Sequence, residues 1–315
     1  MSLGNSGVGY ETARQLSVIY GTHVIMGCRS EIKCTKAANR INNELTATKS
    51  NGSVTPMIID LANLDSVKSF ATQLEGRKVD VLFNNAGYAP VDKSSVNDMG
   101  LNPAFNDMHL AHFYLTEQLL KEHPILRVVY TSSGTHHCCA LPFAFVPSFV
   151  LELLPNIHRP GCIDDEYLST GIRSPNDAAA YFSCKLANVL HATQIPRHHP
   201  HATSVAIDLG WVGTSIQPWM QTQLSPTSLG LMRSANVGVL PMINAILSTD
   251  DELLDGLSEG RKLSDGGIIM NTLGRTEEAL TYGHWIHANL TRERMIEVAD
   301  KLWDESVKIL KANGY

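Results

Sequence analysis

Short apolar segments alternate with helical segments along most of this chain. The apolar runs have the length and composition of buried strands, and helical patterns separate them. The predicted strands are 23–27, 54–59, 79–83, 126–130, 204–207 and 268–270. Strands that are apolar on both faces and alternate with helices are typical of parallel βαβ units. The sequence therefore predicts an α/β fold with a doubly wound, Rossmann-type parallel sheet flanked by helices.

The chain of 315 residues contains no internal repeat and no low-complexity linker, so we expect a single domain over residues 1–315. Two regions interrupt the alternation. Residues 134–175 form an insert that is rich in proline, histidine and aromatic residues, and residues 217–253 are expected to form a loop and helices on the substrate side. The tail 291–310 predicts a helix whose apolar stripe packs in the core or against a second copy.

The composition limits the partners that this chain can have. A net charge of −6 and a pI of about 6.1 argue against nucleic-acid or anionic-membrane binding as the main function. The longest apolar run is interrupted by prolines and is too short to span a membrane. The six cysteines form no CxxC pair, which favours reduced thiols and a cytoplasmic protein that could still associate peripherally with a membrane. The histidines at 198, 199 and 201 favour a solvated loop between prolines, and no metal site is predicted.

Tyr181 and Lys185 are spaced to lie side by side on one helix. A phenol with its ordinary pKa of about 10 is a poor proton donor or acceptor at neutral pH. A fixed positive charge nearby favours the phenolate and lowers that pKa toward the working range. The pair is a candidate acid–base couple, although this spacing alone is a weak signal.

Candidate nucleotide-binding residues occur where the chain passes between strands and helices. The Gly-rich turn supplies Asn5, Ser6, Gly7 and Gly9, whose free amides at a helix N-terminus could cradle a pyrophosphate. Arg29 follows the second strand of such a fold, where an arginine pairs with a 2′-phosphate, so NADP(H) is favoured over NAD(H). Asp60 and Leu61 are placed to meet an adenine edge. The alternatives are a capping loop, a solvated arginine and a helix cap.

These motifs, in this order, resemble the short-chain dehydrogenase/reductase family. The resemblance rests on the Gly-rich turn, on Asn84, Asn85, Ala86 and Gly87 after a strand, on Ser132 and Ser133 after another, and on Tyr181 with Lys185. Segments 109–116 and 301–306 resemble the retinol dehydrogenase and WW-domain oxidoreductase branch. The resemblance covers nearly the whole chain apart from the insert.

The resemblance implies hydride transfer between a nicotinamide and a carbonyl or alcohol. Tyr181 would exchange the proton of the substrate oxygen, and Lys185 would lower its pKa and hold the nicotinamide ribose. Ser133 would hydrogen-bond the substrate oxygen, whereas Ser132 would be structural. The remaining residues that the resemblance assigns to the cofactor are Asn84, Asn85, Ala86, Gly87, Gly210, Val212 and Thr214.

The sequence departs from the family pattern at several positions. The family's first strand lies upstream of the Gly-rich turn, Leu3 stands where the first motif glycine is expected, and Leu209 replaces a proline. Met108 stands at the active-site asparagine, and Asn106 lies on a different helix face. Because the missing strand is central in the sheet, we expect an N-terminally incomplete version of a working enzyme, with a slot that a neighbouring segment must fill.

The leading hypothesis is an NADP(H)-dependent oxidoreductase that acts on a small hydrophobic carbonyl or alcohol, such as an aliphatic aldehyde or a retinoid- or steroid-like compound. Segments 138–154 and 229–247 are candidates for the lid of its pocket. A homodimer or homotetramer would be usual for the family. The alternative is a non-catalytic relative that binds a nucleotide or a protein partner. A third, weaker hypothesis is a reductase of an unusual carbonyl substrate shaped by the insert.

Overall fold

All described strands except the last are parallel and alternate with helices, as the sequence predicts. The computed structural model describes residues 4–88, 96–122, 125, 127–134, 163, 165–169, 171–173, 178–214, 232–255, 268–270, 276–278 and 292–315. Its strands are β1 (His23–Cys28), β2 (Ser53–Ile58), β3 (Val81–Asn84), β4 (Arg127–Thr131), β5 (Thr203–Ile207), β6 (Ile268–Met270) and β7 (Thr276–Glu278). The sequence did not predict β7, the short last strand.

The longer helices are α1 (Gly7–Val18), α2 (Glu31–Thr48), α3 (Leu64–Thr72), α5 (Ala111–Glu122), α7 (Ala178–His198) and α11 (Arg292–Ala312). Shorter ones are α4 (Pro103–Phe105), α6 (Asp165–Ser169), α8 (Ala235–Gly238), α9 (Leu240–Leu247) and α10 (Asp250–Leu254). A π-helical turn over Asn106–Leu110 joins α4 to α5, and a 3-10 turn covers Gly171–Arg173. The sequence motifs did not predict the π turn.

The strands form two groups. β1 pairs in parallel with β2, and a second sheet has the order β3-β4-β5-β6-β7, in which only β7 is antiparallel. In the part of the chain that the structure describes, no strand joins β1 to β3. The sequence predicts this interruption, because the family's first strand belongs in the centre of the sheet.

The strands of the larger sheet are apolar on both faces, and each face builds its own core. One core contains Leu82, Val128, Tyr130 and Ala206 together with residues of α3, α5, α7 and α11. The opposite core contains Phe83, Val129, Val205 and Ile207 together with residues of α1, α2 and α9. Because successive strand residues point to opposite faces, helices must cover both sides of the sheet.

The two groups of strands share the second of these cores. Val24 and Met26 of β1 belong to the same buried cluster as Phe83 of β3, and Met26 is fully buried. The backbone N–H of Gly4 donates to the carbonyl of Gly27 at 3.1 Å. Apolar side chains therefore connect the two groups where strand pairing does not.

The tail helix α11 packs within its own chain. Its apolar stripe is buried, and Trp303 makes an edge contact with Phe113 at 4.8 Å between ring centroids. His109 Nε2 lies 3.0 Å from Ser306 Oγ. The two segments that resemble the retinol dehydrogenase branch, 109–116 and 301–306, are therefore in contact. The apolar stripe of the tail helix packs in the core, which is one of the two roles predicted for it.

The loop predicted over the histidines at 198, 199 and 201 needs correction in part. Helix α7 continues through Pro196 to His198, so His198 is helical, and its ring stacks on Trp303 at 3.8 Å. His199 and His201 follow the helix; His201 is exposed, whereas His199 Nε2 lies 2.9 Å from Glu117 Oε1. Most of the insert 134–175, the lid candidate 138–154 and the start of 217–253 lie outside the described residues. The rest of 217–253 forms α8, α9 and α10, as predicted. No described helix has the length and apolar character needed to cross a bilayer.

The buried side chain of His191 should lower the stability of the fold in acid. It is buried among Phe113, Tyr130 and Trp303, and neither ring nitrogen has a hydrogen-bond partner among the described residues. Burial holds its pKa well below the ordinary value. The unfolded state therefore binds the proton more readily, and stability is lost as the pH falls below about 6.5.

We expect His191→Phe to reduce the loss of unfolding free energy between about pH 7 and pH 5 by about 2 kcal/mol. Urea unfolding at the two pH values measures this loss. His23→Phe, at an exposed position of β1, is the control. An equal acid-induced loss in His191→Phe and wild type would contradict the assignment.

Candidate active site

A cavity of about 310 Å³ lies at the carboxyl ends of β3, β4 and β5. Parallel strands bring their carboxyl ends to one edge of a sheet, which is where α/β folds bind ligands. The segments that follow these strands, the N-terminus of α1 and one face of α7 form the wall. The lining residues are Ser6, Gly7, Val8, Gly9, Asn85, Gly87, Tyr88, Thr131, Ser132, Ser133, Tyr181, Lys185, Leu209, Gly210, Val212 and Thr214.

Ser133, Tyr181 and Lys185 meet in this cavity. Tyr181 and Lys185 are on adjacent turns of α7, and the Lys185 Nζ lies 5.4 Å from the centre of the Tyr181 ring. Ser133 follows β4, and its side chain is hydrogen-bonded to that of Tyr181. A hydroxyl, a phenol and an ammonium thus face one space, which suits proton transfer to a small oxygen-bearing ligand.

Burial dominates the protonation of the pair. Desolvation raises the pKa of Tyr181 to about 12, although the hydrogen bond with Ser133 acts in the opposite direction. Desolvation also lowers the pKa of Lys185 to about 8. In this structure desolvation dominates the pKa of Tyr181, and the expected lowering of that pKa by Lys185 stays a prediction.

Buried neighbours fix Lys185 in place. Its Nζ donates to the carbonyl of Thr131 at 3.0 Å, and Asn188 Nδ2 donates to the same oxygen at 3.1 Å. Ser132 is buried, and its hydroxyl donates to the backbone carbonyl of Lys185 at 2.8 Å. Both serines line the cavity, but the hydroxyl of Ser132 is bonded to the backbone of α7, whereas that of Ser133 is bonded to Tyr181. Thr131 and Asn188 are contributors that the sequence motifs did not identify.

Asp208 holds together the segments that follow β4 and β5. Its Oδ1 accepts from the backbone N–H groups of Gly134 and Gly210, both at 2.9 Å. Gly213 N–H donates to the carbonyl of Arg233 at 2.9 Å, which ties the second segment to the start of α8. These bonds set the positions of Gly210, Val212 and Thr214 on the cavity wall.

The Gly-rich turn approaches the cavity closely. Gly7 has a φ of 55°, a conformation that favours glycine, and a Cβ there would lie 3.5 Å from Thr214 Cβ. On another wall, a Cβ at Gly87 would lie 3.0 Å from Lys185 Nζ. Side chains at these positions would fill space that a ligand could use.

A second cavity of about 380 Å³ adjoins the first, since Gly87 and Tyr88 line both. The ends of β1 and β2 and the π-helical turn form its walls. Its lining residues are Arg29, Ile59, Asp60, Leu61, Ala62, Ala86, Gly87, Tyr88, Asp107 and Met108. Together the cavities make an elongated site with a cation, Arg29, at one part and Lys185 at the other.

Most residues predicted to form the site line one of the two cavities. Ser133, Tyr181, Lys185, Ser6, Gly7, Gly9, Asn85, Gly87, Gly210, Val212 and Thr214 line the first, and Arg29, Asp60, Leu61, Ala86 and Gly87 line the second. Asn5 and Asn84 line neither. Asn84 is fully buried, and its Nδ2 donates to Thr116 Oγ1 at 2.9 Å, so it connects β3 to α5. Tyr88 and Asp107 are lining residues that the sequence motifs did not identify.

Met108 is fully buried and occupies the wall of the second cavity. Its sulfur lies 3.4 Å from the backbone nitrogen of Tyr88, which donates to it. Asn106 Nδ2 donates to the carbonyl of Leu61 at 3.2 Å and to Asp107 Oδ1 at 2.9 Å, away from Lys185. As the sequence predicts, Asn106 does not take the place of the family's asparagine.

Two cysteines beside Arg29 correct another expectation. Cys28 at the end of β1 and Cys34 in the first turns of α2 form a disulfide, with their Cα atoms 5.7 Å apart. The turn from strand to helix brings them together without a CxxC spacing. Cys184 is a free, buried thiol. The prediction of reduced thiols is therefore wrong for Cys28 and Cys34. Among the described residues, no group of histidine, cysteine or acidic side chains is placed to hold a metal ion.

Comparison with known proteins identifies the family. The short chain dehydrogenase family model matches residues 4–137. The chain is 30% identical to human retinol dehydrogenase 13 over 265 residues, which is 80% of this chain and 71% of that protein. It is 30% identical to the WW domain-containing oxidoreductase of Danio rerio over 263 residues, which is 80% of this chain and 59% of that protein. The chain thus spans little more than half the length of the second relative.

The fold of this chain is similar to that of solved short-chain dehydrogenases. A short-chain dehydrogenase from Sphingobium yanoikuyae, solved in complex with NADPH, superposes with a TM-score of 0.52 at 14% identity, and the match covers 77% of this chain and 81% of that one. At this identity the likeness concerns the fold alone. The chain belongs to the short-chain dehydrogenase/reductase family of oxidoreductases.

The residues present fit a nicotinamide dinucleotide, the cofactor that the family implies. The glycine at position 7 and the helix N-terminus behind it leave room and free amides for a diphosphate. Gly87 and Tyr88 line both cavities, so the two cavities are adjacent, as the two halves of a dinucleotide require. Arg29 lines the second cavity, and its guanidinium is suited to an anionic group of a ligand.

Lys185 generates a prediction about alkaline stability. Its pKa of about 8 lies below the ordinary value of an unfolded lysine. Between about pH 8 and 10.5 the unfolded state therefore binds more protons, which destabilises the fold at and below neutral pH. In Lys185→Met the carbonyl of Thr131 keeps its bond from Asn188. We expect this variant to be more stable than wild type near pH 7, by up to about 3 kcal/mol.

The difference in unfolding free energy should vanish as the pH rises past about 10.5. Chemical unfolding across this range measures it, and Lys68→Met, exposed on α3, is the control. A Lys185→Met variant that is less stable than wild type at neutral pH would contradict the prediction.

Proposed function

We propose that this chain is an NADP(H)-dependent oxidoreductase that reduces a hydrophobic carbonyl compound or oxidises the corresponding alcohol. The observation that carries the proposal is the meeting of Ser133, Tyr181 and Lys185 in one cavity, beside a second cavity that Arg29 lines. A bound nicotinamide would supply or accept the hydride. The chain's own residues would bind the substrate oxygen and move its proton.

The protonation of Tyr181 favours the reductive direction. With a pKa raised to about 12, the phenol keeps its proton at neutral pH, so it is in the acid form that donation to a carbonyl oxygen needs, although it is a weak acid until the phenolate is stabilised. The Ser133 hydroxyl, already hydrogen-bonded to Tyr181, would bind the same oxygen and align it with the phenol. Lys185, whose pKa is about 8, carries a positive charge at neutral pH and would stabilise the phenolate that donation leaves behind.

The apolar residues of the cavity and the relatives of this chain together suggest a substrate class. The cavity mouth includes Leu209 and Val212, which are apolar. The relatives named above include a retinol dehydrogenase. We infer a hydrophobic aldehyde or ketone, of retinoid, steroid or aliphatic type, and the matching alcohol for the reverse reaction.

Tyr181→Phe tests the proton donor. Loss of the phenol hydroxyl should lower turnover at least about a hundredfold, the usual contribution of a positioned acid, while NADPH binding changes little. The measurements are NADPH oxidation with retinal and with aliphatic aldehydes, and nucleotide binding by fluorescence. Tyr114→Phe, on α5 and outside both cavities, is the matched control. Unchanged turnover in Tyr181→Phe would refute the role.

Arg29 is proposed to pair with the 2′-phosphate of NADP(H). An arginine at this position favours the phosphate, whereas an acidic side chain favours the free 2′-hydroxyl of NAD(H). The side chain is exposed at the end of β1 and lines the second cavity. The disulfide between Cys28 and Cys34 closes the short loop that carries it.

Arg29→Asp should weaken NADPH binding by about tenfold or more and leave NADH binding equal or stronger, because a charge-assisted bond to phosphate is lost. The ratio of the two dissociation constants measures the effect. Lys33→Asp reverses a charge one turn along α2, outside both cavities, and controls for the general field. A ratio that shifts equally in both variants would argue against a specific contact.

A second candidate is a non-catalytic relative that binds nucleotide without turnover. One observation favours it: Met108, which is fully buried, stands at the position that the resemblance gives to the family's active-site asparagine. Titration of the purified chain with NADPH and NADH, followed by the aldehyde assay, separates the candidates. Binding without turnover of any aldehyde would select the non-catalytic reading.

A further inference from the structure

The second cavity contains a carboxylate that the proposed chemistry does not use. Asp107 lies on the π-helical turn between α4 and α5 and lines the cavity beside Tyr88 and Met108. Arg29 and Asp60 line the same space and act on the charge of Asp107. A π turn displaces the following residues from the ordinary helical phase, and such turns are frequent at functional sites.

Hydrogen bonds to both oxygens hold this carboxylate in place. Tyr88 donates its hydroxyl to Asp107 Oδ2 at 3.0 Å, and Asn106 Nδ2 donates to Oδ1 at 2.9 Å. Asn106 is fully buried, and its Nδ2 also donates to the carbonyl of Leu61 at 3.2 Å. The orientation of Asp107 is therefore set by Tyr88, which lines the cavity, and by the buried Asn106 behind it.

The charge of Asp107 and its unused hydrogen-bond acceptor positions define what it can bind. Each carboxylate oxygen has about two acceptor positions, and the bonds from Tyr88 and Asn106 use one on each. Further acceptor positions are therefore left for a donor in the cavity. A phosphate or another acceptor would be repelled, whereas an uncharged N–H group would be bound.

Burial raises the pKa of Asp107, while the bonds from Asn106 and Tyr88 and the charge of Arg29 act to lower it. The donors that hold the side chain are those that favour its ionised form. An ionised carboxylate accepts stronger hydrogen bonds from N–H groups than a neutral acceptor does.

We propose that Asp107 accepts a hydrogen bond from the amino group of the adenine ring and thereby selects an adenine nucleotide over one with an oxo group at that position. The inference rests on the proposed function, because it concerns the base of the same cofactor. Arg29 would bind at the ribose end of this cavity, and Tyr88 would act as a positioning residue that aims Asp107.

The test compares NADPH with its deamino analogue, in which hypoxanthine replaces adenine. In the analogue an oxo oxygen would face the carboxylate of Asp107, and two hydrogen-bond acceptors repel each other. Wild type should therefore bind the analogue about tenfold or more weakly than NADPH. Asp107→Asn can turn its amide to accept or to donate. The ratio of the two dissociation constants should therefore fall toward one in this variant.

Tyr88→Phe provides a second variant that keeps the carboxylate and removes one of the bonds that orient it. We expect an intermediate ratio. Asp251→Asn, at an exposed carboxylate on α10 outside both cavities, is the matched control and should keep the wild-type ratio. Fluorescence titration gives the constants, and circular dichroism checks that each variant is folded.

The outcomes separate this inference from the proposed function. Equal binding of both nucleotides by wild type, or a ratio that Asp107→Asn leaves unchanged, would overturn the role of Asp107 and leave the oxidoreductase proposal standing. Failure of wild type to bind either nucleotide would overturn both. Discrimination that is lost in Asp107→Asn and retained in Asp251→Asn supports the inference, even where Asp107→Asn also lowers overall affinity.

Discussion

The parallel pairing of β3, β4 and β5 is the constraint on which the site depends. Each of these strands delivers the residues that follow it to one edge of the sheet, and α7 returns across that edge with Tyr181 and Lys185. The carbonyl of Thr131, at the end of β4, receives both Lys185 and Asn188. A buried ammonium is costly to desolvate unless it is hydrogen-bonded. The site therefore requires the strand end and the helix to be held at a fixed distance.

The same constraint explains why burial affects the chemistry. Helix α7 packs on the sheet, so most of its side chains are shielded from water. The side chains of Tyr181 and Lys185 are therefore both desolvated. The pKa of the phenol rises to about 12, and that of the amine falls to about 8. Burial thus keeps the tyrosine protonated and brings the lysine near its titration point at neutral pH. The tyrosine is thus in its acid form, and donation of its proton to a carbonyl oxygen would depend on stabilisation of the phenolate by Lys185.

The two groups of strands give the fold an unusual centre. β1 and β2 carry Arg29 and Asp60, whereas the larger sheet carries the residues around Tyr181. Among the described residues, both cores connect the groups: Val24 and Met26 of β1 cluster with Phe83, and Met57 of β2 clusters with Leu82. The relative position of the two cavities therefore depends on apolar packing where a strand ladder would otherwise set it.

The sequence by itself determined the alternation of strands and helices, the family, and most residues of the elongated site, because βαβ units place the ends of their strands in a predictable way. The single-domain organisation and the state of association remain predictions. Only the tertiary structure decided the surroundings of each side chain. The sequence could not predict that Asn84 is buried against Thr116, that Cys28 meets Cys34, or that Tyr88 and Asn106 fix Asp107. These contacts join residues from different elements or depend on the shifted helical phase of the π turn. The pKa of a residue in turn depends on the water that such contacts exclude. For that reason the sequence predicts the identity of the Tyr181 and Lys185 couple, whereas the direction of the shift in the tyrosine's pKa follows only from the packed fold.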